Sequence, residues 1–578
     1  MKTFILFGPT HSGKSTLAGL FLTQHMSEVE FLSADKTHRD EIEINEGQEY
    51  HDDMRLAYFF DEAKNEHKRY SRLEKSRGNS KQPHIKKLKL YGSMNNLQVI
   101  DSMGSDTNEK WMLRTLAMAD VAIYVLDIRD IVDLSNMIED ETNTQYKNLY
   151  KRIFSPLHAW CNLQKRAMSL LVIAFSQIDR IRFNRIEIIN AIDRIKEESL
   201  FREVPICPIS VNVYNRMSYH VFDQSERADW FSSEPYNNQS LVTLLSKCLE
   251  RKTNILGSFV GYTDTKRKPV FLGKEVIRFR VIRGNIQVND NVILGPVEDK
   301  LNEPFFICGC VKTLRQESSE TNTTLIETGS IGGVLLDSIT KIDLVTKKKK
   351  EYLANIHDIK LTRLSMLFSF NTNGITIGNM LIFKIKFYSE DKESFINKIN
   401  LNNDIPLVWF GKFVSVRIIG FHSIGDNLYC TLLKKQHSVQ DVFVIPLDES
   451  NKFPFMHHKF ALRANDETLI PVNLKKAMYV DQEYGFDLHM DITCPLDYEL
   501  HHVNSYFLES RDHWSISKNK TGDSYAISYK SINMNNVNCV MRTIRKFLND
   551  FGISNREINI SFPNAVDYTQ GIIQQTES

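Results

Sequence analysis

The chain has 578 residues, of which 72 are basic and 71 acidic, so its net charge is close to zero. This balance argues against a charged surface that covers the whole protein and binds nucleic acid or membrane lipid, although local patches remain open. The length exceeds what one compact core accommodates, and we expect about three or four domains.

Neither the apolar runs nor the cysteines indicate a membrane or secreted protein. No apolar run approaches the roughly 20 residues that span a bilayer, and we expect the first residues to form a strand and not a secretory signal. The 8 cysteines are scattered, and only Cys308 and Cys310 lie close together. We interpret them as buried thiols in a reducing cytoplasm, with metal binding by the close pair as the alternative.

The stretch GPTHSGKST, from Gly8 to Thr16, directly follows the apolar run Thr3 to Phe7 and opens a predicted helix. This strand, glycine-bounded turn and helix form the context in which backbone N–H groups surround a phosphate. Lys14 is expected to reach the β- and γ-phosphates, and the Ser15 hydroxyl is expected to bind Mg²⁺. The pattern predicts a nucleoside triphosphate site, against the alternative of a chance match.

Later strand ends carry further polar residues. Asp101 and Gly104 follow the apolar run that begins at Leu97, where the carboxylate can hold Mg²⁺ through water and the glycine N–H can meet the γ-phosphate. The run that begins at Ser169 ends in Ser176-Gln177-Ile178-Asp179, and the Asp179 carboxylate can accept both hydrogen-bond donors of guanine, which adenine lacks. The order of these strand ends, with an apolar strand from Ala119 to Ile128 between them, predicts a doubly wound α/β nucleotide domain.

A last predicted strand, Ile206 to Val211, runs into a loop that could support the base from the other side. The predicted nucleotide-binding residues are Gly8, His11, Ser12, Gly13, Lys14, Ser15, Thr16, Gly104, Ser176, Gln177, Asp179, Ser210 and Val211.

These motifs resemble those of the translational GTPases, most closely elongation factor 1-alpha and elongation factor Tu. The family loop GHVDSGKST corresponds to GPTHSGKST, and Ala228 to Glu250 resembles the family's Pro-Trp-Phe stretch before its final helix. Val281 to Pro296 and Gly329 to Ile339 resemble second-domain strands, and KFALRANDETLIPVN resembles a third-domain strand pair. The resemblance extends over roughly residues 1 to 475 and implies a GTP/GDP site with Mg²⁺.

Three departures from the family pattern affect the expected chemistry. Ser105, the candidate catalytic residue, stands where the family has the His that positions the attacking water, but its hydroxyl is shorter and cannot become cationic near neutral pH. Ser176 and Gln177 replace Asn and Lys. We expect Ser176 to lose the connection between the base loop (Ser176 to Asp179) and the phosphate loop (Gly8 to Thr16). We expect Gln177 to cover less of the base than the family's Lys does. Together the two replacements predict guanine preference with reduced affinity. The family's Mg²⁺-binding Thr has no clear counterpart, and Ser80 is the nearest candidate.

The segment from Lys64 to Lys89 is markedly basic. We interpret it as a solvated, mobile loop, with RNA phosphate contact as the alternative because the family's switch regions face partners.

The remaining chain predicts two β-barrels that join near residues 380 to 390, and then a small α+β extension. The predicted domains are a P-loop GTPase domain (1–255), a first barrel with an insertion (256–384), a second barrel (385–475) and the extension (476–578). The insertion, about Lys341 to Thr372, contains Lys347 to Lys350 and is expected to be an exposed charged segment. The pairs His457-His458 and His501-His502 are expected to be surface or packing residues.

The extension contains the strand-like runs SYAISYKSI and INISF and a predicted helix in NCVMRTIRKFLNDFG. In that helix Val540, Ile544, Phe547 and Leu548 recur at helical spacing before Gly552. A packed core face is our interpretation of this pattern, and a groove for a partner is the alternative.

Three functions remain open. The first is a GTP/GDP-driven switch of the elongation factor type, a monomer in the cytoplasm with a ribosome or tRNA-like partner and possible GTP hydrolysis. The second is a GTP-binding scaffold or regulator with little or no hydrolysis, which the missing His favours. The third is the GTPase subunit of ATP sulfurylase, which has the same three-domain plan.

Overall fold

The protein is described by a computed structural model. The residues that it describes are 2–40, 42–43, 50–61, 84–89, 96–102, 104, 109–137, 143–164, 170–232, 236, 238–250, 257–263, 270–271, 274–298, 304–316, 322–342, 349–352, 359–370, 375–385, 404–410, 412–424, 427–434, 442–446, 460–463, 469–479, 486–493, 514–518, 524–532, 540, 543–544, 546–547 and 558–561.

The chain forms two compact units. The first contains Met1–Leu256 with the short segments Arg280–Gly284 and Leu314–Gly333, and the second contains the remainder. The predicted division into four domains stays a prediction.

The first unit contains a six-stranded sheet in the order β2-β3-β1-β4-β5-β6. All neighbours are parallel except β2, which runs antiparallel to β3. The first eight strands are β1 (Lys2–Phe7), β2 (His84–Lys89), β3 (Asn96–Asp101), β4 (Val121–Asp127), β5 (Leu171–Ser176), β6 (Ile206–Pro208), β7 (Ser210–Val211) and β8 (Ser218–Tyr219). β4 and β5 are buried at every position, because a parallel sheet covered by helices requires continuous apolar runs.

Helices join and pack against these strands. They are α1 (Lys14–Thr23), α2 (Glu28–Asp40), α3 (Arg55–Asp61), α4 (Glu109–Met118), α5 (Ile128–Asn136), α6 (Thr144–Gln164), α7 (Arg185–Glu197) and α8 (Leu241–Glu250). Short 3-10 helices occupy Asp52–Met54, Ile178–Ile181, Ser199–Phe201 and Asp229–Ser232. No helix among the described residues combines the length and the apolar character needed to cross a membrane. The α/β fold class predicted for this part of the chain is confirmed.

The end of the basic segment differs from the prediction. Residues 84–89 form the edge strand β2, which pairs with β3 from His84 opposite Asp101 to Lys89 opposite Asn96. The solvated-loop interpretation is therefore wrong for this part, since these residues form a paired strand in which Leu88 is buried and the Lys86 Nζ donates to the Phe59 carbonyl. Residues 64–83 lie outside the described residues.

From Val260 onward the described elements are mainly strands. The next twelve are β9 (Val260–Thr263), β10 (Val270–Phe271), β11 (Lys274–Glu275), β12 (Ile277–Arg283), β13 (Asn285–Gln287), β14 (Asn291–Glu298), β15 (Pro304–Gln316), β16 (Asn322–Thr323), β17 (Leu325–Glu327), β18 (Ile331–Ile342), β19 (Lys349–Tyr352) and β20 (Lys360–Ser369). An eight-stranded sheet has the order β16-β15-β14-β20-β9-β12-β18-β19. An additional pairing of β15 with β18 closes the strands between them into a ring.

The predicted charged insertion is mostly part of this sheet. β19 pairs with β18, and β20 lies between β14 and β9. Leu364, Met366 and Phe368 of β20 are buried. The expectation of an exposed insertion is therefore wrong here, because the run LSMLF supplies core residues of a central strand. Lys347 and Lys348 lie outside the described residues.

A closed barrel follows, in the order β22-β25-β24-β23-β27-β28. The strands of this part are β21 (Ile375–Gly378), β22 (Met380–Ile385), β23 (Asp404–Trp409), β24 (Lys412–Ile424), β25 (Asn427–Leu433), β26 (Phe443–Pro446), β27 (Phe460–Arg463) and β28 (Leu469–Met478). β27 and β28 pair antiparallel, as we predicted from the resemblance of KFALRANDETLIPVN to a strand pair of the family's third domain.

The last described strands form a four-stranded sheet in the order β30-β31-β29-β32. They are β29 (Phe486–Thr493), β30 (Trp514–Lys518), β31 (Ser524–Ile532) and β32 (Ile558–Ser561). Val540, Ile544 and Phe547 are helical and buried, which confirms the predicted core face. Leu548, Gly552 and both histidine pairs lie outside the described residues.

The cysteines that the structure describes form no disulfide. Cys161, Cys207, Cys248 and Cys430 are buried as expected, whereas Cys308 and Cys310 on β15 are only half-buried. The expectation of buried thiols is therefore corrected for this pair. The described residues contain no group of three or more His, Cys, Asp or Glu side chains arranged to hold a metal.

Candidate functional site

The loop between β1 and α1 turns at two glycines with positive φ. Gly8 has a φ of 144°, and a Cβ atom at this position would lie 2.1 Å from the Val125 carbonyl oxygen. Gly13 has a φ of 84° and lies directly before α1, where an added Cβ would meet nothing within 4 Å. The first glycine therefore permits close packing on β4, and the second turns the chain into the helix beside open space.

Two buried side chains of this loop are directed toward the turn itself. Lys14, the first residue of α1, is 6% exposed, and its Nζ donates a hydrogen bond to the Pro9 carbonyl at 2.6 Å. Ser12 is 1% exposed, and its Oγ has no hydrogen-bond partner among the residues that the structure describes. A buried hydroxyl of this kind usually has a ligand or water as its partner, so these residues fit a bound phosphate.

Ser15 and Asp101 come together at the edge of the loop. Ser15 lies in the first turn of α1, Asp101 is the last residue of β3, and the Ser15 Oγ donates to the Asp101 Oδ2 at 2.5 Å. The adjacent β1 and β3 run parallel, which brings the end of β3 next to the loop. Hydroxyl and carboxylate oxygens are ligands that Mg²⁺ prefers, so the pair fits a divalent cation. Thr16 is half-buried in the same helical turn.

The end of β3 continues toward the site. The Ser102 N–H donates to the Leu6 carbonyl at 3.0 Å, which fixes the chain beside β1, and Gly104 is buried. Ser105 and Ser80, the predicted water-positioning and Mg²⁺-binding candidates, lie outside the described residues.

The base loop is attached to the phosphate loop by the two side chains that depart from the family pattern. The Ser176 Oγ donates to the Ser12 carbonyl at 2.7 Å and lies 3.1 Å from the Leu126 carbonyl. The Gln177 Nε2 donates to the His11 carbonyl at 3.2 Å. The expectation that Ser176 loses this connection is therefore wrong, because a hydroxyl on the last residue of β5 is close enough to reach the carbonyl directly.

Asp179 and Ser210 meet on the base side of the loop. The Ser210 Oγ donates to the Asp179 Oδ1, and the Ile178 N–H donates to the Ile209 carbonyl at 3.4 Å. Asp179 is exposed, and Val211 is half-buried beside Ser210. The two predicted base-side segments are thus brought together, with the Asp179 carboxylate held in place by a hydroxyl and open to a ligand.

A buried histidine that the sequence patterns did not single out holds the Ser210 segment. His220 is fully buried and stacks on Phe231, with ring centroids 3.5 Å apart. Its Nδ1 lies 2.7 Å from the Pro208 carbonyl, and its Nε2 accepts the Ala228 N–H at 3.1 Å. Burial lowers the pKa of His220 to about 4, so the ring is neutral near pH 7, with Nδ1–H donating to Pro208.

The family-like stretch before the last helix has a similar supporting role. The Trp230 Nε1 donates to the Phe183 carbonyl at 3.2 Å, in the turn that follows the base loop. Trp230 also makes ring contacts with His220 and Tyr236. The aromatic residues of this stretch therefore pack beneath both base-side loops.

No protein-family model matches the chain, and no curated protein matches it. Among solved structures, the protein is similar to translation elongation factor SelB from Methanococcus maripaludis in complex with the GTP analogue GppNHp, with a TM-score of 0.47 and 12% identity over 97% of each chain. The apo form of that factor gives a TM-score of 0.44 and 12% identity, over 92% of this chain and 96% of the other.

A bacterial selenocysteine-specific elongation factor, EF-Sec, is similar over 82% of this chain, with a TM-score of 0.47 and 12% identity. The match spans only 58% of the EF-Sec chain. These neighbours are elongation factors, the group that the sequence motifs resemble.

Proposed function

We propose that the protein binds a guanine nucleotide together with Mg²⁺, with the phosphates in the loop from Gly8 to Thr16 and the base against Asp179. The observation that carries this proposal is the attachment of the base loop to the phosphate loop through Ser176 and Gln177. Because each loop is held by the other, a ligand that carries a base and a polyphosphate fits both at once.

Five polar residues of the site have a direct role in this proposal. Lys14 exchanges its bond to the Pro9 carbonyl for the β- and γ-phosphates, which a long flexible ammonium side chain can reach. Ser15 and Asp101 hold Mg²⁺, which neutralises phosphate charge when it is bound. Asp179 accepts the ring N–H and the exocyclic amine of guanine, while Ser210 keeps the carboxylate in place.

The proposal extends to a GTP/GDP-driven switch of the elongation factor type, a cytoplasmic monomer with a ribosome or tRNA-like partner. The support is the sequence resemblance to translational GTPases, which continues from the phosphate loop into both barrels. A GTP-binding scaffold with little hydrolysis is the second candidate, and Ser105 in place of the family's His supports it.

The binding proposal is tested by Lys14→Ala with isothermal calorimetry against GTP, GDP and ATP. Wild-type protein is expected to bind both guanine nucleotides and to bind ATP far more weakly. Lys14→Ala is expected to reduce GTP affinity by about a hundredfold or more, because a charge-assisted contact to the phosphates is lost.

Lys36→Ala serves as the matched control, because Lys36 is exposed on α2. The control is expected to bind GTP as wild type does. Equal GTP binding by Lys14→Ala and wild type would refute the phosphate site, and equal affinity for ATP and GTP would refute the assigned base contact.

A further inference from the structure

An arginine from a helix that lies much later in the sequence contacts the phosphate loop. Arg152 lies in α6, and its Nη2 donates to the Thr10 carbonyl at 3.2 Å. Its Nη1 lies 3.5 Å from the Asp130 Oδ1 in α5, and the side chain is 35% exposed. Burial raises the pKa of the Asp130 carboxyl, and the positive charge of Arg152 opposes that rise. The carboxylate thus acts as a counter-ion that holds the guanidinium beside the loop.

This contact completes a pattern in the loop backbone. Successive loop carbonyls each accept a hydrogen bond from a side chain: Pro9 from Lys14, Thr10 from Arg152, His11 from Gln177 and Ser12 from Ser176. The Thr10, His11 and Ser12 carbonyls are thus bound by side chains of other elements, whereas the Pro9 carbonyl also accepts the Ser12 N–H across the turn at 3.4 Å. Gln177 and Ser176 belong to the base loop, whereas Arg152 has no place in any of the predicted motifs.

The orientation of a carbonyl fixes the orientation of the next amide. A trans peptide is planar, so its C=O and the following N–H point in opposite directions. The peptide bonds of this loop are trans, and the cis bond found among the described residues joins Gly295 and Pro296. With the Thr10 carbonyl directed at Arg152, the His11 N–H is directed to the other side of the peptide. His11 adopts a φ of 64°, a left-handed conformation that a residue other than glycine holds at a cost.

We infer that Arg152 is a positioning residue of the phosphate loop, which holds the Thr10–His11 peptide so that the His11 N–H faces the bound phosphates. The inference rests on the proposed function for its ligand, but the loop order that it describes belongs to the nucleotide-free protein as well. Arg152 acts through the backbone, because it contacts the carbonyl side of the peptide and not the side that would face the anion.

The test compares Arg152→Met, which keeps an unbranched apolar stem but removes the guanidinium donors, with the control Arg129→Met. Arg129 is a neighbouring arginine in the first turn of α5 that is paired with Asp127. Amide hydrogen exchange of the peptide that covers residues 8–14, in nucleotide-free protein, is expected to be several-fold faster in Arg152→Met and unchanged in Arg129→Met. GDP and GTP affinities are expected to fall about tenfold in Arg152→Met only.

A conservative variant separates hydrogen bonding from charge. Arg152→Gln keeps an N–H donor without the positive charge, and it is expected to recover part of the slow exchange and part of the affinity. Wild-type exchange and affinity in Arg152→Met would overturn the inference. Equal losses in Arg152→Met and Arg129→Met would also overturn it, since they would show a general effect of charge.

The outcomes also separate this inference from the proposed function. If wild-type protein binds no guanine nucleotide, the proposed function fails, and the exchange measurement still decides whether Arg152 orders the loop. If Lys14→Ala loses GTP binding while Arg152→Met changes neither exchange nor affinity, the nucleotide site stands and the role of Arg152 is refuted. If Arg152→Met does not fold, Arg152→Gln gives the decisive comparison with wild type.

Discussion

The polar side chains around the phosphate loop bind its backbone more than they bind one another. Ser176 and Gln177 replace the family's Asn and Lys, yet each donates to a loop carbonyl. A short hydroxyl serves here because the end of β5 lies directly against the loop. The reduced affinity predicted from these replacements therefore loses one of its two reasons, and only the smaller cover that Gln177 gives to the base remains.

Asp179→Asn is expected to change the base that the protein prefers. The carboxylate can accept two donors of guanine, whereas an amide repels one of them and can pair with the carbonyl of xanthine. GTP affinity should fall about a hundredfold and xanthosine triphosphate should become the better ligand, as measured by calorimetry with both nucleotides. The Asn oxygen can still accept the Ser210 hydroxyl, so the loop itself should be preserved.

Asp193→Asn is the matched control for this change, because Asp193 is exposed on α7 and its substitution removes the same charge. It should leave GTP affinity unchanged. If Asp179→Asn keeps the wild-type preference for GTP over xanthosine triphosphate, guanine is not recognised by this carboxylate.

Single residues differ in how far the sequence predicts them. Lys14 and Ser15 lie within one short motif, so the motif alone predicts that both belong to the same nucleotide site. Arg152 is separated by 142 positions from the carbonyl that it contacts. Arginine on a helix is common, and only the packing of α6 beside the loop distinguishes this one. His220 was missed for the same reason, since its partners Pro208 and Ala228 meet it only in the folded chain.

At the scale of elements, the close packing of α1 on α3 requires a glycine at position 19. An added Cβ at Gly19 would lie 1.7 Å from the Leu56 carbonyl oxygen of α3, so the two helices approach at backbone distance. In an open helix, replacing glycine by alanine stabilises by about 1 kcal/mol. Here Gly19→Ala is expected to lower the free energy of unfolding by about 3 kcal/mol through overpacking, as measured by the denaturant midpoint.

Ser33→Ala, at an exposed position of α2, controls for a general effect of alanine in a helix and should change stability little. A midpoint for Gly19→Ala at or above that of wild type would contradict the close approach of α1 and α3.

Elements were predictable where one strong pattern dominated. Continuous apolar runs predicted β1, β4 and β5, because buried parallel strands need no alternation. β2 was missed because its three lysines outweighed its two aliphatic residues, of which Leu88 is buried and Ile85 half-buried. β20 was missed because Lys347 to Lys350 led us to interpret its surroundings as a charged insertion, whereas the apolar residues from Leu364 to Phe368 lie in a central strand.

At the scale of the whole molecule, hydrolysis separates the two proposed functions. Purified protein is expected to release phosphate from GTP slowly, because Ser105 cannot orient the attacking water as the family's His does. Ser105→Ala should not slow this basal rate further. Phosphate release with and without ribosomes measures both expectations, and a large stimulation by ribosomes would favour the switch over the scaffold.

Ser105→His restores the family residue and is expected to raise the rate in the presence of ribosomes if the remaining residues of the site are competent. Fast turnover in wild-type protein that persists in Ser105→Ala would contradict the expectation, and another group would then have to position the water.

The hydrogen bonds from Ser176 and Gln177 to the phosphate loop have a thermodynamic consequence. The two loops are already joined without a ligand, so under the proposed function neither half of the nucleotide has to order the site for the other. Guanosine and tripolyphosphate, added as separate molecules, are therefore expected to bind almost independently and each far more weakly than the intact nucleotide, because a covalent link saves the loss of translational and rotational freedom of a second molecule.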